Sequence, residues 1–215
     1  MSGGPAARPR RLPAGLRRYA VAWGYLGCFV VVQVVCARLG PRASAAFVSW
    51  ASTSVENLEQ HPVGCLVVSA FVTGGNGWGA LAWVPLIAIA LFGAVSAVGG
   101  WRTAAVCAAG QVVGTLVSEG IVAWRVSSGA LSPGYKYLTD VGPSYVVVSA
   151  LVVALLCGVR RWRLLAAAEL AVLLFVVRIF SGITHLDVAA VGHLTAIVTA
   201  AACVPLLTRH SPGGR

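Results

Sequence analysis

Residues 79–98 read GALAWVPLIAIALFGAVSAV and contain no charged side chain. A helix needs roughly 20 mostly apolar residues to cross a bilayer core about 30 Å thick, so this stretch predicts a membrane span, with Pro85 as its expected kink. Similar stretches recur along the chain, which is 58% hydrophobic and 10% charged, with a mean hydropathy of +0.85. This composition excludes a water-soluble globular protein.

The apolar stretches are separated by short polar or basic breaks and predict six spans, at about 19–39, 79–98, 103–124, 144–159, 164–180 and 188–207. The expected fold is therefore all-α, a polytopic membrane helix bundle of six transmembrane helices that occupies residues 19–207. A disordered basic cytoplasmic tail, 1–18, precedes it, and a second cytoplasmic tail, 208–215, follows. Between the first two spans, residues 40–62 are polar and predict a loop that carries a short helix or partly embeds.

Basic residues set the expected orientation. Most of the 16 Lys and Arg residues fall in the segments that this arrangement places inside, so we expect both termini in the cytoplasm of a multi-pass cell-membrane protein. The net charge of +10 does not predict nucleic-acid binding, because the arginines flank apolar segments. Ala43-Ser44-Ala45 after the first apolar stretch also fits a signal-peptide cleavage site, but that stretch is long for a signal peptide.

The sequence predicts neither a metal site nor a cofactor. Its six cysteines are scattered singly through hydrophobic stretches, with no C-x-x-C pair and no metal-ligand spacing. Glu119 and Glu169 fall within or near predicted spans, where a charged group is costly unless it faces a cavity or a partner. We therefore expect both to face the interior of the bundle.

One serine begins a predicted span in the position of a nucleophile. Gly142-Pro143-Ser144 closes a loop and starts the fourth span, which places the Ser144 hydroxyl beside the free N–H groups of a helix N-terminus. Such groups stabilise a developing oxyanion, which makes Gly142 part of a candidate oxyanion site. Taken alone, the pattern is more typical of a helix cap, because serine is a preferred N-cap residue.

His193 supplies a matching base. It lies about six residues into the sixth span, roughly 9 Å along the helix, so we expect it at a depth similar to that of Ser144. A neutral imidazole there accepts the serine proton. No acid on the same helix faces the ring, because the neighbours three and four positions away are Ala189, Ala190, Ala196 and Ile197. The sequence thus predicts a Ser-His dyad.

Two stripes of small residues predict close helix packing. Gly110, Gly114 and Ser118 follow a four-residue spacing in the third span, and Gly192, Ala196 and Ala200 follow it in the sixth. Small side chains let helix backbones approach closely in lipid. We expect the sixth span to pack against a neighbour such as the fourth.

Together these residues resemble a known family. Gly-x-Ser at a fourth span and Gly-His in a sixth, within six helices whose termini are inside, are similar to the rhomboid intramembrane serine proteases and their rhomboid-like relatives in high-GC bacteria. The resemblance covers about residues 61–199 and includes residues 71–78 and Gly99 with Arg102. It implies that Ser144 attacks a peptide bond of a membrane-anchored protein, with His193 as base, in a water-filled cavity open to the outside.

Two features depart from the family pattern and leave alternatives open. Active rhomboids usually have a His and an Asn in the second span, where residues 80–84 have neither, and Asn76 in the preceding turn is the candidate substitute. Tyr145 stands where the family usually has a small residue. The alternatives are an intramembrane serine protease and an inactive pseudoprotease that binds membrane-protein clients. A small transporter is less favoured, because the chain shows no internal repeat.

Overall fold

The computed structural model describes residues 14–74 and 77–209, and within these ranges it contains helices and no strand. The helices are α1 Ala14–Arg18, α2 Ala20–Arg38, α3 Pro41–Ala51, α4 Val55–Gln60, α5 Pro62–Val68, α6 Gly77–Leu81, α7 Trp83–Val98, α8 Gly100–Ser127, α9 Ser144–Cys157, α10 Arg160–Val172 and α11 Val188–Arg209. Shorter 3-10 turns lie at Ser69–Phe71, Pro133–Tyr137 and Ile183–His185, and a π-helical turn at Leu173–Val177.

The described residues contain 4 helices long and apolar enough to cross a membrane, at Ala20–Arg38, Gly79–Val98, Gly100–Ser127 and Val188–Leu207. These confirm four of the predicted spans. Two shorter apolar helices lie at Pro62–Phe71 and Ser144–Cys157. The chain is thus an all-helical, multi-pass membrane protein, while the count of six spans and the side on which the termini lie stay predictions.

Helix α9 is enclosed by its neighbours. All its residues from 145 to 154 are buried, and it packs against α7, α8, α10 and α11. Its 14 residues span about 21 Å, which is roughly 9 Å less than a bilayer core. Irregular backbone is tolerated at membrane depth where protein surrounds it. Ser144, the first residue of α9, is half-buried at the start of this enclosed helix.

The predicted small-residue stripes are confirmed as contact surfaces. A methyl group at Gly110 of α8 would overlap the Ser149 side chain of α9, and one at Gly192 of α11 would overlap the Tyr145 ring. Ala196 lies beside Gly110 and Gly114. These contacts hold α8, α9 and α11 together and place the start of α11 beside the start of α9.

Two predicted boundaries are wrong. Residues 160–163, the basic break predicted between the spans 144–159 and 164–180, form the first turn of α10, because the chain reverses at Gly158 and Val159 and arginine is a good helix former. The predicted helix over 164–180 ends as an α-helix at Val172 and continues as a π-helical turn to Val177. Arg178 then takes a left-handed conformation with φ 59.

Part of each predicted tail is helical. Residues 14–18, predicted to be disordered, form α1, which almost continues into α2, and Arg18 donates to the Ser96 carbonyl at 3.0 Å. At the other end α11 runs to Arg209, two residues into the predicted tail. The rest of both predicted tails, 1–13 and 210–215, lies outside the described residues.

Candidate functional site

His193 is buried in α11 with one ring nitrogen bonded and the other free. The side chain is 6% exposed, and Nδ1 lies 3.1 Å from the Ile179 carbonyl oxygen. A carbonyl only accepts hydrogen bonds, so Nδ1 carries the proton and Nε2 presents its lone pair. Nε2 has no hydrogen-bond partner in the described structure. This is the tautomer that a general base requires.

The break after α10 positions the carbonyl that orients His193. The Ile179 N–H donates to the Leu173 carbonyl at 3.1 Å, which closes the loop around the π-helical turn. Arg178 between them has φ 59, a left-handed conformation uncommon for a residue with a side chain. The backbone carbonyl of Ile179 thus takes the place of the acid that the sequence of α11 lacks.

Ser144 and His193 lie at similar depth at the same end of the bundle. Tyr145 sits against Gly192 and its ring meets that of His193, so α9 and α11 start side by side. Ser144 is half-buried. No hydrogen bond joins the two side chains, because Nδ1 of His193 is bonded to Ile179 and Nε2 is unpaired.

Tyr145 packs directly on the imidazole. Its ring meets that of His193 edge-on, with centroids 5.2 Å apart and planes at 85°. Its hydroxyl donates to Asp140 Oδ2 at 3.1 Å. Tyr145 therefore links the ring of the candidate base to the loop that precedes α9.

That loop is docked on the turn between α3 and α4. The Thr53 N–H and hydroxyl donate to the Asp140 carbonyl oxygen at 2.9 and 3.1 Å, and the hydroxyl also lies 3.3 Å from Asp140 Oδ2. The Asp140 N–H donates to Ser52 Oγ at 2.9 Å. Burial raises the pKa of the Asp140 carboxyl, and the hydrogen bonds from Tyr145 and Thr53 oppose that rise in part.

Gly142, the candidate oxyanion residue, has its N–H engaged. It donates to the Ser69 carbonyl at 3.0 Å, and its φ of 150 is a conformation that favours glycine. The N–H groups at the start of α9 have no partner within the helix. They, rather than the Gly142 N–H, are the donors adjacent to Ser144. Asn76, the candidate auxiliary residue, lies outside the described residues.

Substitution of Asp140 tests the docking of this loop. Asp140→Ala removes an acceptor from Tyr145 and Thr53 and is expected to cost about 1–3 kcal/mol of stability, whereas Asp140→Asn keeps an oxygen acceptor. Because burial raises the pKa of Asp140, its charged form is the costly one in the folded state. Its stabilising contribution is full below the ordinary pKa of 3.8 and is lost as the pH rises through the raised value.

Thermal unfolding of wild type, Asp140→Asn and Asp140→Ala at pH 4 and pH 7.5, in one lipid, measures both effects. Relative to Asp140→Asn, wild type is expected to lose stability at the higher pH. An unchanged difference between wild type and Asp140→Asn, or an alanine variant as stable as the asparagine variant, would contradict this role.

A row of buried polar residues on α8 faces the interior of the bundle, as His193 does. Gln111 Nε2 donates to Ser69 Oγ at 3.2 Å, while Gln111 Oε1, Thr115 Oγ1 and Glu119 Oε1 have no partner in the described structure. Glu119, 2% exposed, lies within electrostatic reach of Asp140. The prediction that Glu119 faces the bundle is confirmed, and unpaired polar atoms of this kind are normally satisfied by water.

Sequence reasoning missed several of these residues. Asp140 was not among the candidate residues, although its place four residues before Ser144 was a usable signal. Ser52 and Thr53 are plain polar residues whose contact with the loop spans more than 80 positions. The carbonyl of Ile179 carries no signal in a sequence. No group of three or more His, Cys, Asp or Glu residues that could hold a metal lies within 14–74 and 77–209.

The described residues form a bundle of apolar helices around the buried short helix α9, with Ser144 and His193 at one end. This arrangement is that of a helical membrane protein with its candidate site inside the bundle. The family model described as rhomboid-like protein matches residues 15–212, and the chain belongs to this family. No curated protein and no solved structure matches the chain significantly.

Proposed function

We propose that this rhomboid-like protein is an intramembrane serine protease that cleaves membrane-anchored proteins, with Ser144 as nucleophile and His193 as general base. The observation that carries the proposal is the state of His193, whose Nδ1 is held by the Ile179 carbonyl and whose Nε2 lone pair is unoccupied. Membership of the rhomboid-like family and the similar depth of Ser144 support it.

In this mechanism a substrate brings Ser144 and His193 together, since catalytic hydrogen bonds often tighten only in the complex. Ser144 Oγ attacks the scissile carbonyl carbon and its proton passes to His193 Nε2. The Ile179 carbonyl stabilises the resulting imidazolium through Nδ1–H. The N–H groups of Ser144 and Tyr145, at the positive end of α9, hold the oxyanion.

Collapse of the tetrahedral intermediate breaks the C–N bond, and His193 gives its proton to the leaving amine. Water then attacks the acyl group on Ser144, and His193 removes a proton from that water before returning it to Ser144 Oγ. The unpaired oxygens of Gln111, Thr115 and Glu119 give this interior the polarity needed to admit that water.

A second candidate is a pseudoprotease that binds membrane-protein clients without cleaving them. It is favoured by the lack of a Ser144–His193 hydrogen bond and by the Tyr145 ring, which lies edge-on against the imidazole. The engaged N–H of Gly142 adds to it, because one lost oxyanion donor typically costs ~100- to 1000-fold in rate.

Labelling with a serine-reactive fluorophosphonate separates the two. The full chain in lipid nanodiscs is treated with the probe, and the modified residue is located by mass spectrometry. The protease predicts an adduct on Ser144 that is lost in Ser144→Ala and kept in Ser149→Ala, since the Ser149 hydroxyl is buried and bonded to the Tyr145 carbonyl at 2.7 Å. An unlabelled wild type, or labelling that survives Ser144→Ala, argues against the nucleophile.

A further inference from the structure

Gln33 is a buried polar side chain of α2 whose amide is bonded at both ends. It is 7% exposed, its Nε2 donates to the Phe71 carbonyl at 2.7 Å, and its Oε1 accepts from the Thr73 hydroxyl at 3.0 Å. Glu169 of α10 also faces the bundle, as predicted, but neither of its carboxyl oxygens has a partner in the described structure. A polar group inside a span is costly unless it is paired, so the paired Gln33 marks a specific contact.

The segment that Gln33 binds, residues 69–74, is held through three successive backbone carbonyls. Each accepts one hydrogen bond: Ser69 from the Gly142 N–H at 3.0 Å, Ala70 from the Tyr25 hydroxyl at 2.5 Å, and Phe71 from Gln33 Nε2. Two of these donors lie on α2, and the third lies in the loop before α9. The 69–74 segment therefore joins α2 to that loop.

The bond at Ser69 fixes a residue beside the candidate nucleophile. Gly142 lies two residues before Ser144, and a Cβ atom at Gly142 would lie 3.8 Å from Ser144 Oγ. Glycine has the greatest backbone freedom of any residue, so the position of Gly142 depends on the bond that its N–H makes. A displacement of the 69–74 segment therefore displaces Gly142 and the start of α9.

Packing alone holds α2 only weakly to this segment. Most of α2 faces outwards, and its buried residues are Ala22, Phe29 and Gln33. Apolar contacts give little driving force between helices in lipid, because lipid chains are as apolar as the side chains, whereas hydrogen bonds do contribute. We therefore expect the two bonds of Gln33 to define where the 69–74 segment lies against α2.

We propose that Gln33 is a positioning residue for the candidate site. It fixes the 69–74 segment, and through the Ser69 carbonyl that segment fixes Gly142 and the start of α9, where Ser144 lies. Gln33 acts through this backbone and takes no part in making or breaking bonds. The inference rests on the proposed function for the reaction of Ser144, whereas the position of Gly142 is measurable without any reaction.

Hydrogen exchange of the Gly142 amide tests the position. Wild type and Gln33→Leu, each as the full chain in nanodiscs, are exchanged and analysed by mass spectrometry with electron-transfer fragmentation. Leucine leaves the buried Phe71 carbonyl and Thr73 hydroxyl without Gln33, so the segment is held less tightly. The Gly142 amide is therefore expected to exchange about tenfold faster. Exchange of this amide at the wild-type rate in Gln33→Leu overturns the proposal.

Gln60→Leu is the matched control, because Gln60 is an exposed glutamine whose amide donates to Glu56 on the same helix. It is expected to leave the exchange of the Gly142 amide unchanged. Faster exchange of that amide in Gln60→Leu, to the same extent as in Gln33→Leu, would mean that the effect is not specific to the 69–74 segment and would overturn the proposal.

Gln33→Glu gives a second readout, which a merely structural role would not move. A protonated carboxyl donates to the Phe71 carbonyl and accepts from Thr73 as the amide does, whereas a carboxylate only accepts. The rate of fluorophosphonate labelling of Ser144 is measured relative to wild type from about pH 5 to about pH 10, a range that covers the ionisation of a buried carboxyl. We expect a ratio within about twofold of one at the lowest pH, falling about tenfold as the carboxyl ionises.

A labelling ratio that does not change with pH in Gln33→Glu overturns the role of Gln33 in positioning Ser144. An unlabelled wild type counts against the proposed function instead, and the exchange of the Gly142 amide then decides the present inference. The two failures are thus distinguishable.

Discussion

Replacing His193 by alanine is expected to lower the rate of cleavage of a single-span substrate about 100- to 10,000-fold, the range that one positioned general base contributes. The reason is that Nε2 of His193 presents the free lone pair at the depth of Ser144. The rate is measured in nanodiscs under single-turnover conditions, so that the chemical step is observed.

His185 provides the matched control, because it is an exposed histidine in the loop before α11 and offers only its backbone carbonyl to Arg125. His185→Ala is expected to leave the rate within about twofold, as the carbonyl remains. A His193→Ala variant that cleaves like wild type would remove His193 from the mechanism. Thermal unfolding of each variant checks that a lost rate is not a lost fold.

The second large effect is expected from Gly192→Ala. A methyl group there would overlap the Tyr145 ring, so α11 must move away from α9, at a cost of about 1–3 kcal/mol as for other overpacked cores. Because His193 is the next residue, the same displacement separates it from Ser144. We expect both the unfolding temperature and the fluorophosphonate labelling to fall.

Gly120→Ala is the control for this substitution. Gly120 lies in α8 with nothing within 4 Å of the added methyl group, so alanine is expected to stabilise the helix by about 0.5–1 kcal/mol. Thermal unfolding in one lipid, with both variants and wild type side by side, gives the comparison. Gly192→Ala with wild-type stability would mean that α9 and α11 are not in close contact.

The helices and their contact stripes were predictable because they depend on local composition. An apolar run such as 79–98 satisfies its backbone hydrogen bonds in lipid by forming a helix. The four-residue spacing of Gly110 and Gly114 predicts a contact surface wherever the ends of that helix lie. The break after Val172 was not predictable, since residues 173–177 are as apolar as a regular span.

The placement of the candidate residues was predictable in part, while their catalytic roles stay predictions. The depths of Ser144 and His193 follow from their places in two helices that start at the same end. The Tyr145 contact with His193 and the docking of Asp140 on Thr53 depend on tertiary packing between distant segments, which no local pattern encodes. The sequence also contains no sign of the group that replaces an acid in orienting His193, because that group is the backbone carbonyl of Ile179.

The central claim is tested most directly by incubating wild type and Ser144→Ala, each in nanodiscs, with a set of single-span substrates and identifying the products by mass spectrometry. The account predicts cleavage within or beside the span by wild type and none by Ser144→Ala at equal stability. Intact substrates throughout the set with folded wild type, or equal cleavage by both proteins, would contradict it.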